Sequence, residues 1–476
     1  MNQTAGNTIA SNKQYDLIVI GSGPAGQKSA VQAAKLGKRV TLIERDRYLG
    51  GACVHRGTIP SKTLRENALR ITHMRANAEL SNFSLTDNLE MSVLIDRLDE
   101  VLKAHDMFME KQIRRNHIDR FHGRASFIDK HHIEIVKPRG TPDILRAEQY
   151  TIATGSYPRT PSNIPIDHEH IYDSDSILSM LYLPKSLTVL GGGVIASEYA
   201  SIFQALDVKV TMVDKYPLPL GFLDKDLTAN FVHAFEHMGG HWIGETQVKK
   251  VFWDGHQVIT ECANGEVIQS EKLLCAAGRI ANVKDLKLEN INLTLNEQGL
   301  ISVDDYLQTD VPGIFAAGDV IGPPALASTS MEQGRRVSCN AYNVKTGAMG
   351  QMIPIGIYGI PELSSVGLSE CAARKEYGDI IVGKAIFEEI ARGQISGIQD
   401  GMLKIVCDGK GEKILGVMIV GEGATELVHI GQMALLSHSS VDIFVESIFN
   451  FPTLAEAYRV AALSVIGQRK RHNKHY

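Results

Sequence analysis

Cysteine is scarce and scattered. The six cysteines in 476 residues stand at positions 53, 262, 275, 339, 371 and 407, with no CxxC pair. That spacing predicts no metal site and fits a reducing compartment. Long apolar runs are missing as well, since none approaches the about 18 residues that a membrane span needs. Met1 to Gln14 is polar and lacks the apolar core of a secretion signal, so residues 1–14 are expected as a disordered tail on a cytoplasmic chain. A strong charge of one sign is also absent. The net charge of −5 offers no general attraction for nucleic acid or an anionic membrane, so neither is expected as a partner. The basic stretch 468–476, with Arg469, Lys470 and Arg471, reads as a solvated terminus. What remains is ordinary for a globular chain, 44% apolar and 22% charged, and its length suggests about three domains.

Glycine is plentiful, and its placing is informative. The apolar run Tyr15 to Ile20 leads into Gly21-Ser22-Gly23-Pro24-Ala25-Gly26, and Ala30 to Leu36 reads as helix. A second apolar run, Arg39 to Ile43, ends at Glu44, 23 residues after Gly21. Strand, glycine turn, helix, strand and acid together form a dinucleotide fingerprint. Gly21, Gly23 and Gly26 let the backbone meet a pyrophosphate, the helix N-terminus favours its charge, and Glu44 can hold ribose hydroxyls. A bare glycine cluster is often a plain turn, but the surrounding elements tell against that here. The arrangement recurs about 170 residues on. Leu187 to Leu190 leads into Gly191-Gly192-Gly193-Val194-Ile195-Ala196, a helix follows through Leu206, and Val208 to Val213 ends at Asp214. Two such units imply two dinucleotides, or one flavin and one nicotinamide cofactor. An acid at Asp214 suits the 2′-OH of NAD and repels the 2′-phosphate of NADP, which predicts a preference for NADH. Lys215 is the one cation in the segment Asp214 to Leu220 that could meet a phosphate.

Residues 63–115 read as largely helical. Leu94, Leu98, Val101 and Phe108 form the expected apolar stripe, with His105 in its gap. His105, Met107 and Met109 are taken as a packed face rather than as ligands. Residues 116–155 alternate in short strand-like pieces and end at Ala153-Thr154-Gly155. Residues 156–185, with four prolines, read as a linker and the entry to a second domain, and from about Pro354 short strands and a long helix are expected.

Gly50-Gly51-Ala52-Cys53-Val54-His55-Arg56-Gly57-Thr58-Ile59-Pro60-Ser61-Lys62 resembles the redox-active segment of the flavoprotein disulfide reductases, GGxCxxxxCIPSK. Two cysteines form a disulfide over the flavin in that family. Here Cys53 fills the first position, but the second is Thr58, which cannot form a disulfide. Cys275 to Arg279 resembles the family's closing motif of the nicotinamide domain, and Val311 to Val320 its strand ending in Gly318-Asp319. The family's terminal HPTxxE is similar to Phe451-Pro452-Thr453-Leu454-Ala455-Glu456, with phenylalanine in place of the histidine. A phenyl ring cannot shuttle a proton. Losing both the second thiol and the histidine is one coherent change, and thiol–disulfide reduction is disfavoured. Ile171 to Met180, Gly57 to Lys62, Tyr199 to Phe203 and Ala455 to Ala462 resemble the soluble, Si-specific pyridine nucleotide transhydrogenases, from about residue 15 to 467.

The resemblance implies an α/β chain with two Rossmann-like domains, for FAD and NAD(P), plus a C-terminal α+β dimerisation domain. Its expected boundaries are 15–157 with 286–350 for FAD, 158–285 for NAD(P) and 351–467 for dimerisation. It assigns Gly21, Gly23, Gly26, Glu44, Arg45, Gly50, Gly51, Ala52, Cys53, Lys62, Ala125, Thr154, Gly155, Gly318, Asp319, Leu326 and Ala327 to the flavin. Gly191, Gly193, Ile195, Glu198, Asp214, Gly278 and Arg279 fall to the nicotinamide nucleotide. Asp319 would hold ribityl hydroxyls, and Lys62 would lie beside flavin N5 with Glu198 as its ion-pair partner. Lys62, Glu198, Cys53 and Glu456 are the expected catalytic residues, Cys53 by packing near the flavin rather than as a reactive thiol. The implied activity is an FAD-dependent transhydrogenase: NADPH reduces the flavin, NADP+ leaves, and NAD+ takes the hydride. An NADH-preferring diaphorase or quinone reductase is the alternative, and a non-catalytic flavoprotein redox sensor the second. A homodimer is expected, with higher homo-oligomers open.

Overall fold

The computed structural model describes residues 14–76, 91–350, 352–398 and 400–472. Its longer helices are α1 (Pro24–Lys35), α2 (Thr58–Ala76), α3 (Met91–Arg115), α4 (Val194–Ala205), α5 (Lys225–His237), α6 (Ala327–Ala341), α7 (Ala424–Leu436) and α8 (Glu456–His472). The chain divides into two compact units. The first is Met1–Thr63, Ser92–Arg159 and Gly278–Ala348, and the second is Leu64–Met91, Thr160–Ala277 and Met349–Tyr476.

In the first unit the strand Gln14–Ile20 is central because both its faces are covered, which its run Leu17-Ile18-Val19-Ile20 requires. It pairs in parallel with Val40–Glu44 on one side and Asp143–Ile152 on the other. Asp119–His122 extends the first side, while His132–Val136 and Arg124–Phe127 extend the second in antiparallel fashion. Ile314–Ala316 joins Asp143–Ile152 in parallel. Helices α1 and α6 pack against each other. Hydroxyls stitch them to the sheet, with Ser29 Oγ 3.0 Å from Thr151 Oγ1 and 3.1 Å from Ser338 Oγ.

Helix α3 corrects the expected stripe. Leu94 is buried, but Phe108 is 61% exposed and Met107 75%, whereas Met109 is only 4% exposed. Leu94, Val101 and Phe108 are spaced as strict heptads, and a straight helix drifts about 20° per heptad from such a repeat. The buried face instead runs to Met109 and Ile113, packed with Leu49, Val54 and Ile118. Met109 Sδ also accepts a hydrogen bond from Gln27 Nε2. Met109→Ala is therefore expected to cost about 2–5 kcal/mol, and Phe108→Ala no more than about 0.5 kcal/mol. Calorimetric unfolding of the two variants distinguishes these outcomes.

The second unit holds a five-stranded parallel sheet in the order His241–Ile243, Lys209–Val213, Ser186–Leu190, Lys272–Cys275, Ile171–Asp173. Its edge strand Ile171–Asp173 comes from the expected linker, which is thus partly sheet. The same unit carries an antiparallel five-stranded sheet: Ile355–Ile357, Leu363–Gly367, Ile414–Val420, Met402–Asp408, Ile380–Ile386. Leu227 and Phe231 of α5 share one apolar core with Ile357, Leu363, Val406 and Met418 of that sheet.

A buried charge cluster lies beside this core. Lys404 is 1% exposed, and its Nζ stands 2.9 Å from Asp224 Oδ1, 2.9 Å from Asp226 Oδ2 and 2.7 Å from Glu370 Oε2. Asp224 is also the N-cap of α5, accepting from Asp226 N–H. The expected basic tail begins inside α8, where Arg469 pairs with Asp442 and bonds the Gly411 carbonyl. A helix end presents unpaired carbonyls to cations, so basic residues there extend the helix rather than leave it. Residues 1–13 and 473–476 of the two expected tails lie outside the described residues. Among the described residues, no helix is long and apolar enough to cross a membrane, and no cluster of three or more His, Cys, Asp or Glu could hold a metal ion.

Candidate active site

The two glycine turns fold almost identically, one in each unit. Gly21 has φ +99°, and a Cβ there would fall 2.3 Å from the Ala153 carbonyl oxygen. Gly191 has φ +116°, and its Cβ would fall 2.7 Å from the Ala276 oxygen. Both positions require glycine for conformation and for space. Gly21 N–H donates to Ile43 O at 2.8 Å, and Gly191 N–H to Val213 O at 2.9 Å. The acid at the end of each second strand closes the turn. Glu44 Oε2 accepts from Ser22 N–H at 2.9 Å and Asp214 Oδ2 from Gly192 N–H at 2.5 Å. Each acid's second oxygen takes the N–H two residues on, from Asp46 at 2.9 Å and Tyr216 at 3.0 Å. The acids therefore set the turns as well as offering lone pairs outward.

The units differ at the second turn residue. Ser22 Oγ donates to Glu44 Oε2 at 2.6 Å and accepts from Gly50 N–H at 3.0 Å, tying the first turn to Gly50-Gly51. Sequence reading passed over Ser22, because the x of GxGxxG carries no side-chain requirement. Gly50 and Gly51 both have positive φ and open the short helix Gly51–His55, which carries Ala52 and Cys53. The Cys53 thiol is raised above its ordinary value by burial, and a hydrogen bond from Thr58 and the charge of Lys62 oppose the shift. Asp319 adds to the rise, so Cys53, Thr58, Lys62 and Asp319 gather at one place in the first unit. All six cysteines are free. Cys53 faces a hydroxyl where a disulfide partner would stand, and its raised thiol is a poor nucleophile at neutral pH.

The rest of the predicted flavin set lies in this unit too. Gly155 and Gly318 have positive φ, Leu326 is the N-cap of α6, and Ala327 opens that helix. Arg45 Nε is 3.9 Å from Asp46 Oδ1. The Ala125 side chain packs into the core, which leaves only its edge-strand backbone for a ligand. Gly278 and Arg279, expected with the nicotinamide domain, fall in the first unit, because Arg279–Ala281 pairs antiparallel with Ser156–Pro158. Arg279 Nε donates to Ser156 Oγ at 2.9 Å, and Ser156 Oγ donates to Asp319 Oδ2 at 2.7 Å. Ser156 is a second residue that motif reading missed.

These residues fit a dinucleotide. No side chain caps the N-terminus of α1 at Gly23, which leaves its first amides for an anion. Thr154 Oγ1 and Thr329 Oγ1 are buried with no hydrogen-bond partner, an arrangement that a polar ligand would satisfy.

In the second unit Gly193 caps α4, Ile195 lies in its first turn, and Glu198 follows. Glu198 is 4% exposed, and its Oε1 accepts from Tyr358 N–H at 2.9 Å. Glu456 opens α8, and its Oε2 is buried with no hydrogen-bond partner. Phe451 is 73% exposed and offers it no donor. Lys62 and Glu198 belong to different units, and each is placed within its own.

Residues 15–334 match the pyridine nucleotide-disulphide oxidoreductase family, and residues 353–462 match that family's dimerisation domain. A soluble pyridine nucleotide transhydrogenase of Mycobacterium bovis is 41% identical over 465 residues, covering 97% of this chain and 99% of its own. One from a Marinomonas species is 39% identical over 458 residues, covering 95% and 98%. Among solved structures, the Cu(II) complex of the HOCl-induced flavoprotein disulfide reductase of Escherichia coli superposes with TM-score 0.87 at 28% identity, over 95% of this chain and 99% of that one. Two dinucleotide turns of one design, an α/β fold shared with a flavoprotein reductase and relatives aligned nearly end to end lead to one conclusion: the chain belongs to the pyridine nucleotide-disulphide oxidoreductase family.

Proposed function

We propose that this chain is an FAD-dependent transhydrogenase that moves hydride between nicotinamide nucleotides, NADPH + NAD+ to NADP+ + NADH, without a redox disulfide. The observation that carries it is the Cys53–Thr58 pair. A lone, raised thiol beside a hydroxyl cannot store two electrons, so reducing equivalents have no route onward through sulfur. The relatives named as soluble pyridine nucleotide transhydrogenases support the same reading. FAD, when bound, supplies acceptance and return of hydride.

The chain's own residues bind and orient. Gly21, Gly23 and the start of α1 receive one pyrophosphate, with Gly26 letting the helix pack against Gly21, and Gly191, Gly193 and Ile195 receive the other. Glu44 and Asp214 present ribose acceptors, and Gly50, Gly51, Ala52, Thr154, Gly155, Leu326 and Ala327 line the flavin. Arg45 and the backbone of Ala125 serve its adenosine end, Asp319 takes ribityl hydroxyls, and Lys62 places a cation by the ring. Glu198 and Glu456, both in the second unit, are the remaining expected catalytic residues, Glu456 without a proton partner at position 451. Gly278 and Arg279, expected for the nicotinamide nucleotide, belong to the first unit. The FAD domain takes the expected 15–157 and 286–350 together with residues 278–285, which fall in the first unit. A homodimer is formed through the C-terminal sheet domain, where Ile448 is 96% exposed and Phe451 73%, and the protein works in the cytoplasm.

The test is anaerobic stopped-flow mixing of the flavin-loaded protein with one equivalent of NADH or NADPH, then with thio-NAD. Flavin bleaching by either donor and recovery with thio-NAD are expected. Recovery with a quinone but not with thio-NAD would replace this reading by an NADH diaphorase. No bleaching at all would leave a redox sensor.

A further inference from the structure

Ser156 sits between a cation and an anion, and the chemistry of its neighbours fixes its proton. Arg279 is a donor only, and it approaches the Ser156 hydroxyl oxygen through Nε at 2.9 Å. A carboxylate is an acceptor only, so the single Ser156 proton points to Asp319 Oδ2 at 2.7 Å. Arg279 holds the serine a second time, from Nη2 to the Ser156 carbonyl at 2.9 Å. The backbone supplies this geometry. Ser156 and Arg279 stand on the two strands of one antiparallel ribbon, with Ser156 opposite Ala281 and Arg279 opposite Pro158. Asp319 opens the 3-10 turn Asp319–Ile321, directly after Gly318 at φ +82°.

We propose that Ser156 is a positioning residue for the flavin site, holding Asp319 in one rotamer and passing part of the Arg279 charge to it. One face of the carboxylate is occupied by Ser156, which leaves Oδ1 to receive ligand hydroxyls. A carboxylate fixed in advance spares the ligand the cost of ordering it. Without Ser156, Asp319 turns freely, and Arg279 loses the hydroxyl that links it to the acid. The proposal rests on the flavin reading above, and binding of FAD by the unaltered chain tests that reading separately.

The experiment titrates FAD into flavin-free protein and follows quenching of flavin fluorescence, for the unaltered chain, Ser156→Ala, Ser156→Thr and Ser156→Cys. A loss of affinity of about tenfold or more is expected for Ser156→Ala, the usual scale for a hydrogen bond to a charged group. Ser156→Thr keeps the hydroxyl and should bind nearly as the unaltered chain does. Ser156→Cys, nearly isosteric but a weak donor, should lose affinity as alanine does and carries the test if the alanine variant does not fold. The same comparison in an Asp319→Ala background isolates the route, because an effect transmitted through the carboxylate should largely disappear where no acceptor remains. Full affinity in both Ser156→Ala and Ser156→Cys would overturn the proposal, as would equal losses in the two backgrounds. If the unaltered chain fails to bind FAD, the flavin reading itself fails.

Discussion

Lys404→Met is expected to cost about 3–5 kcal/mol, the usual result of removing one partner from a buried ion cluster. Lys404 is 1% exposed and faces three carboxylates at 2.7–2.9 Å, of which Asp224 is 3% exposed, Glu370 31% and Asp226 37%. Methionine fills the volume of the stem but leaves Asp224 without its cation, while Arg374 still pairs with Glu370 and Lys384 with Asp226. Asp226 is the most screened by water and contributes least. A fall of about 3–5 °C in the calorimetric transition is expected. The pH dependence gives a sharper criterion. Hydrogen bonds from Lys404 and Arg374 hold the Glu370 carboxyl below its ordinary 4.5, and burial of Asp226 is outweighed by hydrogen bonds from Lys384 and Lys404 that hold it below 3.8. Depressed carboxylates add stability above those ordinary values and lose it as pH falls through the depressed ones. Lys404 is raised above its ordinary 10.5, so its share persists through neutral pH and is lost only under strong alkali. The intact protein should therefore lose stability below about pH 4, and Lys404→Met should lose part of that acid slope, the part held by Lys384 and Arg374 remaining. Adding Asp224→Asn to Lys404→Met removes the one stranded charge and keeps an oxygen to cap α5, but its amide nitrogen then meets the Glu370 N–H that Oδ2 accepts at 2.9 Å, so only a small part of the deficit should be recovered. A Lys404→Met protein with unchanged Tm would show that the cluster does not stabilise the fold.

The sequence disclosed those parts of the fold that rest on backbone demands. Gly21 and Gly191 had to be glycine because the next strand's carbonyl occupies the space of a Cβ, and that demand is visible in a single chain. The acids at 44 and 214 were legible for the same reason, since each closes its turn from a fixed distance along the chain. Side-chain placements that depend on distant partners were not legible. Heptad spacing pointed to Phe108, while contact with Leu49 and Val54 chose Met109. Ser156 follows a recognisable Ala-Thr-Gly, but its partners lie 123 and 163 residues away and share no pattern with it. The edge strand Ile171–Asp173 hid among prolines because three residues are too few to show a period. Lys404 gave no signal at all. A lysine in an alternating strand ordinarily faces water, and only α5 and Glu370 show why this one does not.

Cofactor choice follows from the double duty of Asp214. Its charge disfavours a 2′-phosphate, so kcat/KM for flavin reduction should be higher with NADH than with NADPH. The usual inference would be that deleting the acid admits NADPH. The geometry predicts otherwise for Asp214→Ala. Oδ2 holds Gly192 N–H at 2.5 Å and Oδ1 holds Tyr216 N–H at 3.0 Å, so alanine leaves two amides of the turn without an acceptor. Gly192 is closely hemmed in, with a Cβ there falling 3.0 Å from Trp242 and 3.2 Å from Pro219, so the loop has little room to rearrange. Asp214→Ala should lower kcat/KM for NADH by about 10- to 100-fold, the range for losing hydrogen bonds to a charged acceptor, with no gain for NADPH. Asp214→Asn removes the charge yet keeps one oxygen for the turn. It should lose less with NADH and bring the two cofactors closer together, with Lys215 then the nearest cation in sequence to a phosphate. Equal gains with NADPH in both variants would mean that the carboxylate acts by charge alone and that the turn stands without it. A gain confined to Asp214→Asn would mean that the residue selecting the nucleotide also builds the loop that receives it.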